Sequence, residues 1–176
     1  MTAFAPAGSI VEHSTWVGIL GKAAPLADYL LPYYAALTTL NVLGAKLVEL
    51  VRIACAKTTE CEACLRFRDP RVASSIRPDV LTLIEELDTT QGFTERERLA
   101  IRFAIAFGTN HHAIDDAMWG KLKSEFDDQE IMHSCIYVAH YVGMGRLGAA
   151  MRLIDSKCTL PGYRIAELLQ VKTELA

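Results

Sequence analysis

The sequence predicts an all-α fold in a single domain, and three observations support this. Apolar residues recur at helical spacing along most of the chain, no run shows sustained two-residue alternation, and the polar linkers are short. A length of 176 residues fits one domain with a sizeable core. We predict one helical domain over residues 1–176, with residues 1–22 and 156–176 as candidate arms.

The helices are predicted to follow one another with few breaks. Segment 25–40 carries proline at an early position, and a second proline, Pro32, is expected to kink this helix. Segment 44–58 has an apolar stripe at helical spacing, interrupted by Glu49 and Arg52. The later predicted helices cover residues 77–87, 94–108, 112–126, 127–155 and 162–176. The last of these would be either a docked helix or an arm onto a neighbouring subunit.

Three helix starts carry the sequence signature of a capping box, in which a side-chain acceptor is followed three residues later by glutamate. The pairs are Thr59 with Glu62, Thr94 with Glu97, and Asp127 with Glu130. The first pair would start a helix that contains two cysteines.

Charge and composition limit the partners and the compartment. The net charge is −3 and no strong Lys/Arg cluster occurs, so we predict no nucleic-acid partner. The longest uncharged stretch, residues 29–45, contains a proline and is shorter than the roughly 20 apolar residues of a spanning helix. The N-terminus lacks a basic segment before its apolar residues. Five cysteines form a poor disulfide framework and suit a reducing compartment, so we expect a soluble, cytoplasmic protein.

The pair Cys61 and Cys64 forms the CxxC motif of the sequence. Three interpretations are open: a redox dithiol, half of a metal site, or two core thiols that lie close by chance. If Thr59 caps the helix, Cys61 is its second residue, and the helix dipole lowers the pKa of both thiols. Arg68 follows Cys64 by four residues and is expected on the same helix face, where its charge would also favour a thiolate.

A metal site needs two further ligands at suitable spacing. The candidates are His111, His112, His133 and His140, together with the other cysteines, and none forms a second CxxC or an HxxxH pattern. We therefore predict neither a metal nor a cofactor. The dithiol can act alone by cycling between thiols and an intramolecular disulfide.

A family resemblance adds to this reading. Eleven residues separate Glu49 from the Cys61-Glu62-Ala63-Cys64 motif, and this spacing resembles the signature of the AhpD-like, or carboxymuconolactone decarboxylase, family. Segments 46–68, 93–108 and 111–153 are similar to that family. The resemblance implies an all-α bundle that assembles into trimers or hexamers. It also implies Cys64 as attacking thiolate, Cys61 as resolving thiol and Glu49 as part of a proton relay.

The chain departs from the family pattern at two positions. Peroxidase members usually carry histidine where this chain has Arg68, and some also carry histidine where it has Ala63. Histidine can exchange a proton near neutral pH, whereas arginine stays protonated and can only hold an anion or an oxygen atom. His140 with Tyr141 is the best substitute relay, provided that their helix packs on the CxxC helix.

Three functions follow as hypotheses. The first is a thiol oxidoreductase that reduces hydroperoxides or partner disulfides and is reset by an external thiol reductant. The second is a non-redox enzyme of aromatic catabolism, in which Arg68 binds the carboxylate of a small acid or lactone. The third is a binding module whose thiols are structural. Two other roles are open for Glu49, a solvated residue on an amphipathic helix or a partner of Arg52. Tyr33, Tyr34 and Trp119 are expected to pack or to form subunit contacts rather than bind a substrate.

Overall fold

The computed structural model describes residues 23, 25–40 and 42–150, and in this part of the chain the regular structure is entirely helical. The α-helices are α1 (Ala27–Thr39), α2 (Ala45–Thr58), α3 (Glu62–Arg66), α4 (Val80–Glu85), α5 (Glu95–Thr109), α6 (Asp116–Glu125) and α7 (Asp128–Ala150). Short 3₁₀ turns occur at Ala73–Ser75 and His111–Ala113. The predicted all-α fold is confirmed.

Some sequence predictions lie outside the described residues. They are the candidate arms at 1–22 and 156–176, and the predicted helix at 162–176. Among the helices of the described ranges, none is both long and apolar enough to cross a membrane.

Helix α2 is the centre of the core. It packs most extensively against α5 and α7, and the eight residues from Glu49 to Ala56 are all buried. The largest fully buried side chains around it include Tyr137, Phe103 and Leu50. Burial of each large apolar side chain contributes about 1.5–3 kcal/mol. Because α2 is enclosed in this way, its charged residues must find partners inside the protein.

Two of the three predicted capping boxes are present. The Thr94 hydroxyl accepts from the Glu97 N–H at 3.2 Å, and the Glu97 carboxylate accepts from the Thr94 N–H at 3.0 Å. Asp127 and Glu130 form the same reciprocal pair at 2.8 and 3.1 Å. Both predictions are confirmed.

The helix predicted to start at His112 begins later. Asp115 accepts from the Met118 N–H at 2.9 Å and so caps α6, which starts at Asp116. The two preceding histidines lie in the exposed 3₁₀ turn instead, with ring centroids 4.1 Å apart. The helix therefore starts after Asp115, because an aspartate is a stronger N-cap than the histidines that precede it.

The prediction that Thr59 caps the cysteine helix is wrong, because Thr59 ends α2 instead. Its hydroxyl donates to the Cys55 carbonyl at 3.1 Å. The Cys61 N–H donates to the Ala56 carbonyl at 3.1 Å and the Glu60 N–H donates to the Lys57 carbonyl at 3.3 Å. With Glu60 left-handed at φ +52°, this is a Schellman motif built on a non-glycine residue. Cys61 therefore precedes α3 and is not its second residue.

The two threonines before the motif contact glycines on two neighbouring helices. Gly108 of α5 lies against Thr58, and Gly145 of α7 lies against Thr59. A Cβ atom at Gly145 would lie 2.5 Å from the Thr59 Oγ1 atom, which leaves no room for a side chain. These glycines let α5 and α7 fix the end of α2, from which the chain turns into the cysteine pair.

We expect Gly145→Ala to lower the free energy of unfolding by about 1–3 kcal/mol, because the added methyl overlaps Thr59. Gly143, two residues earlier in α7, is a matched control with open space around its Cα. Gly143→Ala should instead stabilise by about 0.5–1 kcal/mol through helix propensity. Urea denaturation of both variants measures this, and equal effects would contradict the close contact.

Candidate active site

The two cysteines of the CxxC motif are joined by a disulfide. Their Cα atoms lie 5.2 Å apart, within the range a disulfide requires. The two residues differ in exposure, since Cys61 is 4 % exposed whereas Cys64, in the single turn of α3, is partly exposed. Outside reagents can therefore approach the pair mainly from the side of Cys64.

Glu49 forms a buried ion pair with Arg52 on α2. The Arg52 Nε and Nη2 atoms donate to the two carboxylate oxygens at 2.7 and 2.8 Å. Glu49 and Arg52 are only 3 % and 9 % exposed to solvent. Burial lowers the pKa of Arg52, but the hydrogen bond and charge of Glu49 outweigh it, and the net pKa is raised. Arg52 therefore stays charged inside the core.

The same guanidinium binds one backbone carbonyl within α3 and one just after it. Arg52 Nη1 donates to the Cys64 carbonyl at 2.7 Å, and Nη2 donates to the Phe67 carbonyl at 2.8 Å. The Phe67 ring lies 5.2 Å from the Arg52 Cζ atom, and the Asp69 N–H donates to Glu49 at 3.2 Å. We call Glu49 and Arg52 the buried clamp, because together they bind the backbone from Cys64 to Asp69.

Arg68 does not share a helix face with Cys64, so that prediction is wrong. Helix α3 ends at Arg66, and Arg68 Nη1 donates to the carbonyls of Leu65 and Phe67, both at 2.6 Å. Burial and, next, the charge of Arg52 lower the pKa of Arg68, while Glu49 raises it. Arg68 is therefore beside the buried clamp and binds the carbonyl end of α3.

Arg52 is a site residue that the sequence indicates only as an alternative partner of Glu49. In the structure its guanidinium pairs with Glu49 and also binds the backbone of the motif. The signal was present in the sequence, because two opposite charges three residues apart interrupt a helix that is otherwise apolar.

His140 and Tyr141 lie on α7, which packs on α2, the helix of the buried clamp. The His140 ring is surrounded by Tyr34, Tyr33 and Tyr141, at centroid distances of 4.8, 5.5 and 5.4 Å. We call these four residues the aromatic cluster. Burial lowers the pKa of His140 to about 4. Trp119 packs against Phe103 at 5.9 Å, as predicted for a core residue.

The other cysteines of the described ranges are not activated. Burial raises the pKa of Cys55 to about 12, despite the opposing charge of Arg52, and burial also raises the pKa of Cys135. A raised pKa leaves little thiolate near neutral pH. Across residues 25–40 and 42–150, no three His, Cys, Asp or Glu side chains are grouped so as to hold a metal ion.

Fold and site together define an all-α protein with a closed CxxC pair, one cysteine of which is accessible, beside a buried glutamate–arginine pair. No model of a known protein family matches the chain, and no curated protein sequence matches it either. Solved structures, however, share its fold.

An Agrobacterium tumefaciens protein of unknown function, described as a candidate antioxidant defence protein AhpD, superposes with a TM-score of 0.64 at 16 % identity. The match covers 75 % of this chain and 92 % of that one. The debrominase Bmp8 superposes with a TM-score of 0.63 at 18 % identity, covering 77 % and 74 %. A cysteine-to-alanine variant of Bmp8 with bound 2,3,4-tribromopyrrole also has a TM-score of 0.63, at 17 % identity and 77 % and 73 % coverage. The predicted AhpD-like fold is confirmed.

Removal of one partner of the buried clamp should be strongly destabilising, because the other charge is left buried and alone. We expect Arg52→Met to lower the free energy of unfolding by about 3–5 kcal/mol. The double variant Glu49→Leu with Arg52→Met should recover much of that loss. Urea denaturation measures both. The exposed pair Glu62 and Arg66 is the control, since Glu62→Gln should change stability by about 0.5 kcal/mol or less. Similar losses at the two pairs would contradict a buried clamp.

Stability should fall as the pH falls through the window set by His140. Its pKa is about 4 in the folded protein against an ordinary 6.5, so between these values the unfolded chain binds a proton that the folded chain does not. The resulting decrease in the free energy of unfolding reaches its full value, about 3 kcal/mol, near pH 4. His140→Phe should therefore lose less stability than the unmodified protein between pH 7 and 4 in urea denaturation. Parallel pH curves for the two proteins would show that His140 is not buried in this way.

Proposed function

We propose that this protein is a thiol-dependent oxidoreductase that reduces hydroperoxides or partner disulfides through Cys64 and Cys61. The observation that carries the proposal is the closed cysteine pair with unequal exposure. An accessible sulfur can attack an external substrate, and a buried one within bonding distance can resolve the product without competing for it. The shared fold with a candidate antioxidant defence protein agrees with this chemistry.

The proposed reaction with a hydroperoxide has three steps. The Cys64 thiolate attacks the terminal oxygen, the O–O bond breaks, and the alkoxide takes a proton and leaves as an alcohol. Cys64 is then a sulfenic acid, and the Cys61 sulfur attacks it, which forms the S–S bond and releases water. An external dithiol supplies two electrons and two protons and reopens the disulfide. With a partner disulfide as substrate, a mixed disulfide replaces the sulfenic acid.

The two residues of the buried clamp and Arg68 have different proposed roles around Cys64. Arg52 donates to the Cys64 carbonyl and so fixes a positive charge next to that residue, which favours the thiolate. Glu49 remains the proposed proton relay, but in the disulfide state it accepts from Arg52 and from the Asp69 N–H. Proton transfer through Glu49 therefore requires one of these bonds to open. Arg68 remains protonated and is proposed to hold an oxygen atom of the substrate.

Among the described residues, no contact favours the non-redox alternative over the dithiol chemistry. It uses Arg68 to bind a substrate carboxylate, so the engagement of Arg68 Nη1 with two backbone carbonyls restricts both mechanisms equally. The debrominase with the same fold widens the range of substrates worth testing to brominated pyrroles.

Assembly into a homo-oligomer and a cytoplasmic location belong to the same proposal. Large apolar side chains are exposed on α1, at the residues that flank it, and on α7, and exposed apolar patches commonly mark subunit contacts. The most exposed of them are Leu26, Tyr29, Leu40 and Met132.

We expect Cys64→Ser to reduce the rate of hydroperoxide or disulfide reduction by a factor of about 10³ or more, since the nucleophile is lost. Cys61→Ser should consume one equivalent of peroxide and stop at a Cys64 sulfenic acid, which a dimedone adduct detected by mass spectrometry would report. Cys135→Ser is the control, because this thiol lies outside the pair and its pKa is raised. Full activity in Cys64→Ser would refute the proposal.

A further inference from the structure

Helix α7 carries apolar side chains on two opposite faces. The inner face packs on α2 and α5, and its side chains Tyr137, Val138 and Val142 are buried. The opposite face is an exposed stripe at helical spacing, formed by Met132, Ile136, Ala139, Leu147 and Ala150. We call these five residues the outer stripe. A helix that is apolar on both faces is normally covered on both, and the described part of the chain leaves the outer stripe uncovered.

The outer stripe has a border on each side. On one side Arg146 is exposed, but its guanidinium donates to the Gly108 carbonyl of α5, so this charge is held by the neighbouring helix. On the other side Tyr33 of α1 packs against His140, with ring centroids 5.5 Å apart. The outer stripe is therefore an apolar strip between α1 and α5, along the length of α7.

Residues 162–176 lie outside the described part of the chain, and their sequence has a matching apolar pattern. Four apolar residues fall on one side of a helix drawn through this segment: Ile165, Leu168, Leu169 and Leu175. Three polar residues fall on the opposite side: Glu167, Gln170 and Glu174. A helix of about 12–15 residues is only marginally stable alone in water, so such a helix needs a surface on which to bury its apolar side.

The length of the chain suits contact between this segment and the outer stripe. Residues 151–161 join Ala150 to the segment, and eleven extended residues reach about 36 Å, whereas packed helices lie only about 8–10 Å apart. A helix over 162–176 would be about 22 Å long, and α7 from Ile136 to Ala150 is about 21 Å long. A segment tethered in this way also meets the stripe at an effective concentration of about millimolar.

We propose that residues 162–176 form an amphipathic helix that packs antiparallel on the outer stripe of the same chain. The helix covers α7 from Ala150 back to Ile136. It leaves Met132 and the exposed apolar residues at α1 for contact between subunits. This inference goes beyond the proposed function and does not depend on the chemistry of the cysteine pair.

Hydrogen exchange of the full chain, followed by mass spectrometry, tests the contact. We expect the amides of residues 162–176 to exchange about tenfold or more slowly than in an unstructured peptide. Leu168→Asp on the segment and Leu147→Asp on the stripe each place a charge in the apolar contact and should abolish this protection. Gln170→Asp is the matched control, because it adds the same charge on the opposite side of the segment and should keep the protection.

The two variants also separate the contact from a folding defect. Leu147 is 40 % exposed and Leu168 lies beyond the described helices, so neither substitution disturbs a buried core position. We therefore expect the exchange of α2 and α5 to be unchanged in both variants. Loss of protection that is confined to residues 162–176 is the result that the proposal requires.

Crosslinking distinguishes a contact within one chain from a contact between two copies. Ala139→Cys and Thr173→Cys introduce a pair that comes close only if the segment folds back along α7, in a background with Cys135→Ser and Cys158→Ser. Light and ¹⁵N-labelled forms of this protein are unfolded together, refolded and treated with a short bis-maleimide. We expect each crosslink to join peptides with the same isotope label.

Every other result overturns the proposal. Crosslinks that join light to ¹⁵N-labelled peptides would assign the outer stripe to a second copy. Exchange of residues 162–176 at the rate of an unstructured peptide would show that no helix docks. Protection that survives Leu147→Asp would place the segment on another surface. None of these measurements requires turnover, so they are independent of the activity lost in Cys64→Ser.

Discussion

The buried pair of Glu49 and Arg52 is the constraint on which the site depends. An ion pair inside an apolar helix gains little net stability, because the loss of hydration offsets most of the attraction between the charges. The main effect of the ion pair is on the geometry of the cysteine motif. Once Arg52 is buried its remaining donors must also be used, and they are used on the Cys64 and Phe67 carbonyls. The helix of the core and the backbone of the cysteine motif are thereby held as one unit.

The path of the chain into the motif follows from local contacts at the end of α2. The Thr59 hydroxyl donates back to a carbonyl of α2, and Glu60 adopts a left-handed conformation. Cys61 is therefore buried just before the single turn of α3. Two glycines on the neighbouring helices allow this end to be packed tightly. The unequal exposure of the two cysteines accompanies this turn, since Cys61 is buried and Cys64, within α3, is partly exposed.

In the proposed function the dithiol supplies the electrons, and an arginine stands at the position where peroxidase members carry a histidine. Arg68 donates to two backbone carbonyls there. The imidazole of His140 stands on α7 among three tyrosines, and burial lowers its pKa to about 4, so it is a poor proton carrier near neutral pH. Glu49 is therefore left as the proposed proton relay.

Sequence alone determined the helical fold, two of the three capping boxes and the presence of a cysteine pair, because periodicity, capping chemistry and motif spacing are local properties of the chain. It misplaced the start of α3, because the same threonine can cap the next helix or end the previous one, and in the folded protein Thr59 bonds back to α2 and packs against Gly145. It also could not place His140 among three tyrosines from two helices, nor show that Arg52 reaches the Cys64 carbonyl. Those contacts join residues far apart in the chain, and their geometry exists only after α1, α2 and α7 have packed together.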